Sequence, residues 1–490
     1  MGWAASPRSS RAAVSEPSSS THARSGAGSA HALRRLWVAP LTWAVASVAV
    51  AVCAVLTTIG TDARWLAALG AAVVRTGTIP TGVPYASVAS SDWHNVPVLA
   101  ELIFHGLETA LGDRGLILAQ VVAISVALGL VAREIVAETK SASVSIVVLL
   151  LVPAAAANAF LVVRGQAFSL ALFPLAVLLL RTQARAPSRQ IWLRVPLTAL
   201  GSNLHGAVLV GIGVAACYLL IDRLRTDPVL AIAVLVATVA AALVTPAGPD
   251  TVRYFLGVLG NAWASAHEGF WARPSYRQPL DLLFVGAALP LAVAAVRARA
   301  RLWEYVAAAG LGLLVVTAAR NEVWLVLFLA PLAVRGLGRG RRPARPMPLA
   351  FAVSILVAAA GLVFALARPP TQLAAGPALS REAIAAAGGT PILADPYDGE
   401  QLALQGATIV IGNPIDAFDR RAQQLYLEWI QGSPTAANEL APTAHVALVV
   451  RGTAAQRRLA RDPAFCEAAA DSRSILYLRR EHRPCGGTSA

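Results

Sequence analysis

Charge is scarce in this chain. Only 14% of its 490 residues are Asp, Glu, Lys or Arg, 56% are hydrophobic, and the mean hydropathy is +0.60. Such a balance excludes an ordinary soluble domain and reads as a polytopic membrane protein. Lysine is almost missing: Lys140 is the one lysine among 41 Lys and Arg. There are four cysteines, too few for a disulfide scaffold, and no Cys or His spacing matches a zinc site. Cys53 and Cys217 fall in apolar runs and read as packing residues, whereas Cys466 and Cys485 lie near the C-terminus, where an oxidising compartment would permit a disulfide.

Long apolar runs are abundant. The first, Leu36 to Ile59, is long enough to cross a bilayer core of about 30 Å. Further spans read as Gly115 to Val131, Ala142 to Val163, Ala167 to Leu180, Val229 to Val244, Leu280 to Val296, Trp303 to Ala319, Val323 to Val334 and Met347 to Ala367. Val195 to Ser202 and Ala207 to Ile221 read as a half-helix and its return, which brings the expectation to about 11 membrane segments, some short. With a cytoplasmic N-terminus, 21 of the basic residues fall on inner segments and 8 on outer loops. That bias predicts a plasma-membrane protein whose C-terminal region is extracytoplasmic. The net charge of +14 is therefore spread over short inner loops, and nothing concentrates it into a nucleic-acid-binding surface. The tract Arg335 to Arg345 reads as a topology determinant that could also touch anionic membrane lipids. Residues 1–35, rich in Ser, Ala and Arg, read as a disordered cytoplasmic segment, and 36–367 as the transmembrane domain.

Acids stand where a bilayer protein has least use for them. Asp62, Asp92, Glu101, Glu108 and Asp113 all lie in the polar loop 60–114 that follows the first span. Trp65, Leu66, Leu69, Val73 and Val74 form one helical stripe, so Asp62 to Arg75 is expected to lie flat on the membrane with its charges in water. Asp62 would then serve either as a reactive carboxylate or as a charge satisfying the helix N-terminus. A second amphipathic helix, Val96 to Leu111, presents Glu101, His105 and Glu108 on one face.

The order of an Asp after the first span, an amphipathic helix ending in Gly, then Gly-x-x-Pro, a Trp and a Leu-x-Glu helix resembles the multispanning glycosyltransferases of the C superfold. RGQAFS at Arg164 to Ser169, SNLHG at Ser202 to Gly206, TPAG at Thr245 to Gly248 and HEGFW at His267 to Trp271 resemble further motifs of those enzymes in the same order. There are departures. Leu66 stands where the familiar pattern has His, Val83-Pro84-Tyr85-Ala86 replaces Asp-Pro-Phe-Ser, and Val96-Pro97-Val98-Leu99 replaces His-Glu-Trp-Leu.

The resemblance implies transfer of a sugar from a polyprenyl-phosphate donor to an extracytoplasmic acceptor. Such a transfer needs a carboxylate to take the acceptor's proton and cations to neutralise the departing phosphate. Asp62 is then the candidate catalytic base, and Arg164, His205 and Arg320 the candidate phosphate partners. Asp92, Glu101, His267 and Glu268 complete the candidate substrate-binding set, the last two beside aromatic residues able to stack on a sugar or anchor the interface. No spacing defines a metal site; a divalent cation could bridge Asp62 and the phosphate, but nothing demands one.

After Pro370 hydropathy falls and short apolar runs alternate with helical stretches, so 368–490 reads as a small α/β domain with a mainly parallel sheet. Asp395, Asp398 and Asp416 follow its strands and could contact an acceptor glycan. Two other readings stand beside the transferase: a non-catalytic membrane-anchored binding or assembly protein of the same fold, motivated by the lost polar positions, and a transporter, motivated by the helix break near Asn203. Against transport, the spans carry almost no charge and no internal repeat is visible.

Overall fold

The computed structural model describes residues 25–139, 141–338, 367, 371–440, 442 and 444–481. The expected span Met347 to Ala367, apart from Ala367, lies outside them, as do Cys485 and Arg339 to Arg345. Cys466 is disulfide-bonded, while Cys53 and Cys217 are free.

The first helix, α1 (Ser25–Leu56), starts well before the expected span, so 25–35 is helical where disorder was expected. Its upstream run is rich in Ala and Ser, and only glycines weaken its helical preference. The bundle continues through α2 (Ala63–Thr76), α3 (Val98–Leu111), α4 (Asp113–Glu138), α5 (Ala142–Ala155), α6 (Ala157–Phe160) and α7 (Ala167–Arg185). It then runs through α8 (Arg194–Ser202), α9 (Val208–Tyr218), α10 (Pro228–Ala241), α11 (Thr251–Gly260), α12 (Ala262–Ala266), α13 (Pro279–Val296), α14 (Leu302–Thr317) and α15 (Glu322–Leu337). Among the described residues α4, α7 and α13 are long and apolar enough to cross a membrane, and α5, α10 and α14 are shorter apolar helices. Pro153, Pro174, Pro290 and Pro331 sit inside helices, a placement that neighbouring helices make tolerable in membrane bundles.

Charge gathers where the apolar spans end, and one acid, Glu304, lies within the expected span Trp303 to Ala319. Arg181 on α7 is buried and donates to Glu134 (2.9 Å), Glu304 (3.1 Å) and the Phe328 carbonyl (2.8 Å), and Arg335 joins Glu304 and Glu138. Arg181 and Arg335, read from the sequence as cytoplasmic topology markers, therefore cross-link α4, α7, α14 and α15. A buried arginine keeps its charge only where carboxylates and carbonyls compensate it.

At the opposite end of the bundle, three two-residue strands form a parallel patch. The strand β1 (Thr58–Ile59) pairs with β2 (Val162–Val163) on one side and β3 (Thr371–Gln372) on the other. This patch ties the ends of α1 and α6 to the start of the C-terminal domain. That domain has a four-stranded sheet, β4 (Leu393–Ala394), β5 (Val446–Val450), β6 (Phe465–Ala470) and β7 (Ser474–Arg479), in the order β4-β5-β7-β6. Only β4 and β5 are parallel; β5 with β7 and β6 with β7 are antiparallel, which corrects the expectation of a mainly parallel sheet. Asp471 accepts from the backbone N–H groups of Arg473 and Ser474, closing a tight turn that folds β7 back on β6 as a hairpin. The expected strand Thr408 to Ile411 is reduced to single bridges from Ile409 to Ile392 and Ala86.

The first half of the helix α2 is packed inside the protein. Ala63 to Gly70 are all buried, including Arg64, which is 1% exposed and paired with Asp113 at 3.1 Å. One hydrophobic core runs from α2 through Val83, Tyr85 and Trp93 into β5. Trp65, Leu66 and Leu69 of the stripe that read as lipid-facing are buried, α2 packing on α3 and on the C-terminal domain, while Val74 at its far end is exposed.

Candidate active site

Backbone geometry at Asp62 sets the site. It leaves β1 with φ 91° and ψ −36°, a conformation that costs a non-glycine residue about 1–3 kcal/mol and persists only where surroundings enforce it. Here Glu400 enforces it, accepting the Asp62 N–H with both carboxylate oxygens at 2.8 and 2.9 Å. The Asp62 carboxylate makes no capping bond to α2. It accepts instead from the Trp65 indole at 3.4 Å and borders a cavity of about 560 Å³. Of the two roles open in the sequence, the structure removes helix capping.

Asp62, His205 and Arg320 line this cavity together, although far apart in sequence. His205 sits in the loop between α8 and α9. That loop is pinned by Asn203, whose side chain donates to Ala199 and Val244 carbonyls at 2.8 and 2.6 Å. The His205 Nδ1 accepts from the Ala207 N–H at 3.1 Å and lies 3.3 Å from Ser169 Oγ, so a neutral ring carries its proton on Nε2. Burial, with Arg320 and Arg164 adding to it, pushes His205 down to about 3. The imidazole is therefore a neutral donor rather than the cation expected from its place among phosphate partners. Arg320 lies over the Trp271 ring at 4.5 Å; burial lowers its pKa while Asp62 pulls it back up.

Arg164 is buried just behind the cavity wall formed by Gly165 and Gln166. Burial lowers it to about 9, and Asp62 is the largest opposing influence. Gln166 reaches the Arg320 carbonyl at 3.4 Å, which couples the RGQAFS segment to the far wall. Asp62 thus lies in the field of two guanidinium groups.

Other candidates fall elsewhere. Glu101 is fully buried outside the cavity lining, bonded by Asn95 at 2.7 Å, and burial raises it to about 8. Asp92 is exposed on a second pocket. His267 and Glu268 are exposed and stand outside both pockets, with Gln431 contacting Glu268 at 3.3 Å; from the same HEGFW segment it is Trp271 that reaches the cavity. Asp395 caps the helix Pro396–Leu404 and Asp398 accepts the Ala375 N–H. Asp416 alone of the three C-terminal acids borders the cavity, accepting from the Trp93 indole at 3.0 Å and raised to about 6 by burial.

Glu400 and Tyr254 had no distinguishing sequence signal. Val83, where the familiar motif has Asp, is buried, as is Tyr85 in the place of Phe, and the Tyr85 hydroxyl donates to the Asn413 carbonyl at 3.0 Å. Ile409 and Ser87 exchange backbone bonds with this stretch. The Tyr85 hydroxyl and these backbone bonds thus stitch the loop to the C-terminal domain. Leu66, in place of His, lines the cavity.

Among the described residues no three His, Cys, Asp or Glu side chains converge as metal ligands. Arg164 and Arg320 add positive charge to the field around Asp62.

No protein family and no curated protein matches the chain. Solved structures do. The arabinofuranosyltransferase AftD from Mycobacteria, in a mutant form, superposes with a TM-score of 0.50 at 14% identity, over 89% of this chain and 41% of AftD. The fold is similar to that of this AftD structure. ArnT from Cupriavidus metallidurans bound to undecaprenyl phosphate gives 0.48 at 16% identity over 89% of this chain and 97% of ArnT, and its apo state 0.48 at 15%. This chain spans less than half the length of AftD. The cavity lies where the bundle meets the C-terminal domain, between α9, α11, α14 and the loop that follows β1.

Proposed function

We propose that the protein is a membrane glycosyltransferase that moves a sugar from a polyprenyl-phosphate donor to an acceptor outside the cytoplasm, at a plasma membrane crossed by about 11 segments. One observation carries this reading. The cavity is a single space with a polar end at Asp62, His205, Arg320 and Asp416 and an apolar end between α9 and α14, where Gly213, Cys217, Ala307 and Gly310 leave room beside Leu311. A polyprenyl chain fits the apolar trough, and its phosphate meets the Arg320 guanidinium and the His205 Nε2–H.

In the reaction the bond between the sugar's anomeric carbon and the phosphate oxygen breaks, and its electron pair leaves on the phosphate. An acceptor hydroxyl forms the new bond and gives its proton to Asp62. Arg320, with the field of Arg164 behind it, stabilises the charge that develops on the leaving phosphate. The neutral His205 donates a hydrogen bond without adding charge.

Turnover of a panel of polyprenyl-phosphate sugars by the purified protein in nanodiscs tests this reading. Asp62→Asn is expected to lower transfer by about 10²–10⁴-fold while polyprenyl phosphate still binds. Undiminished transfer in the variant would remove Asp62 as the base. Binding by the wild type with no turnover would favour a non-catalytic binding protein of this fold, a reading to which Leu66 in the cavity wall gives some weight.

A further inference from the structure

A second pocket of about 350 Å³ lies beside the cavity, and Asp416 and Tyr254 line both. The wall between them is one side chain thick. On the outer side the pocket is bordered by the Ser90–His94 turn, by Asp250 and Arg253 at the start of α11, and by Phe418 and Asp419 of the C-terminal domain. Trp93 supports the wall, its indole donating to Asp416 and its ring tilted against Tyr254 at 6.2 Å between centroids.

The character of the lining differs from that of the first cavity. Asp92, Asp250, Asp416 and Asp419 stand against one arginine, Arg253, which is 75% exposed and held 3.8 Å from Asp250. His94 lies at 3.8 Å from Asp250 on its other side. Carboxylates accept hydrogen bonds from hydroxyl groups and repel anions, while aromatic faces cover the apolar faces of a sugar ring. The volume lies within the range of small-ligand clefts, about 300–1,000 Å³.

We propose that this outer pocket binds the acceptor, and that the acceptor is the end of a neutral, hydroxyl-rich glycan rather than a phosphorylated or otherwise anionic group. The inference rests on the transferase reading, since it takes the first cavity as the donor site. A glycan seated against Trp93 and Tyr254 extends its terminal hydroxyl past Asp416 toward Asp62. The hydroxyl oxygen then forms the bond to the anomeric carbon, its proton goes to Asp62, and the polyprenyl phosphate departs with the electron pair. Asp416 orients that hydroxyl and takes no proton.

The test uses the full chain in nanodiscs and two separate binding measurements. One titrates a panel of neutral oligosaccharides and their phosphorylated counterparts; the other titrates polyprenyl phosphate. We expect a neutral oligosaccharide to bind, Asp250→Arg to weaken it at least tenfold, and Asp92→Ala to weaken it in the same direction. Polyprenyl phosphate should bind both variants within twofold of the wild type, which also shows that they are folded. Preference for the phosphorylated sugars, indifference to both substitutions, or no oligosaccharide binding at all would overturn the proposal. Failure of polyprenyl phosphate to bind the wild type would instead count against the donor-site reading, whatever the oligosaccharides do.

Discussion

Asp62 illustrates how much a single residue's role depends on its backbone. An aspartate one residue before a helix is usually a cap, yet here its positive φ and the Glu400 carboxylate beneath its N–H turn the side chain away from the helix and toward the cavity. Glu101 shows the converse, an acid that looks functional on a helix face and is fully buried beside Asn95. Its raised pKa has a consequence for stability. Folding favours the protonated form, so the contribution is complete below the unfolded value near 4.5 and is lost as pH rises through about 8. The melting temperature in detergent should therefore fall as pH rises from about 4.5 to about 8 and level off above, this group removing up to about 1.4 kcal/mol of unfolding free energy per pH unit in that window. Glu400, raised to about 8 by burial and by Asp62, adds in the same direction, so Glu101→Gln should reduce the fall without abolishing it. An identical pH profile in that variant would show that Glu101 is ionised throughout.

Between elements, the decisive contact is the crossing of α2 and α3. A Cβ at Gly70 would overlap the Glu101 carbonyl, with the His105 Cβ 2.8 Å away. Backbone on one side and a packed helix on the other leave nothing flexible to yield. Gly70→Ala is expected to cost about 1–3 kcal/mol and, because α2 carries Asp62 at its head, to lower transfer as well. Paired thermal melts and transfer assays check this; unchanged values in both would mean that the two helices separate without cost. Periodicity placed both helices within two residues of their observed starts, Ala63 and Val98. Their partners were not legible. An apolar stripe has the same pattern whether it meets lipid, another helix or a folded domain, and α2 meets α3 and the C-terminal domain.

At the scale of the whole molecule, two ends of the bundle are fastened by different means. One is held by the Arg181–Glu134–Glu304–Arg335–Glu138 network, the other by the β1-centred patch and the docking of the C-terminal domain through contacts such as Trp93 to Asp416 and Gln423 to the Ala262 N–H. Arg181→Met would leave Glu134 and Glu304 buried with fewer partners, and a loss of about 3–5 kcal/mol is expected, read as a lower unfolding midpoint in detergent. A midpoint equal to the wild type would show that water already reaches these groups.

Composition and hydropathy alone determined that the chain is dominated by apolar helices up to Pro370 and changes character beyond it, because the length of an apolar run and the fall in hydropathy after Pro370 are local properties. The short motifs located Asp62, Arg164 and His205, and the end of an apolar span located Arg320, residues carried by different segments. Tertiary structure decided which of them meet. It brought Asp62, His205 and Arg320 to one cavity, set Arg164 behind its wall, buried Glu101 and left His267 and Glu268 outside. It also introduced Glu400 and Asp416, whose positions depend on how a domain more than 300 residues downstream docks on the first loop. Such long-range pairing leaves no periodic trace in either segment, since each contact is a single side chain fixed by the packing of many others.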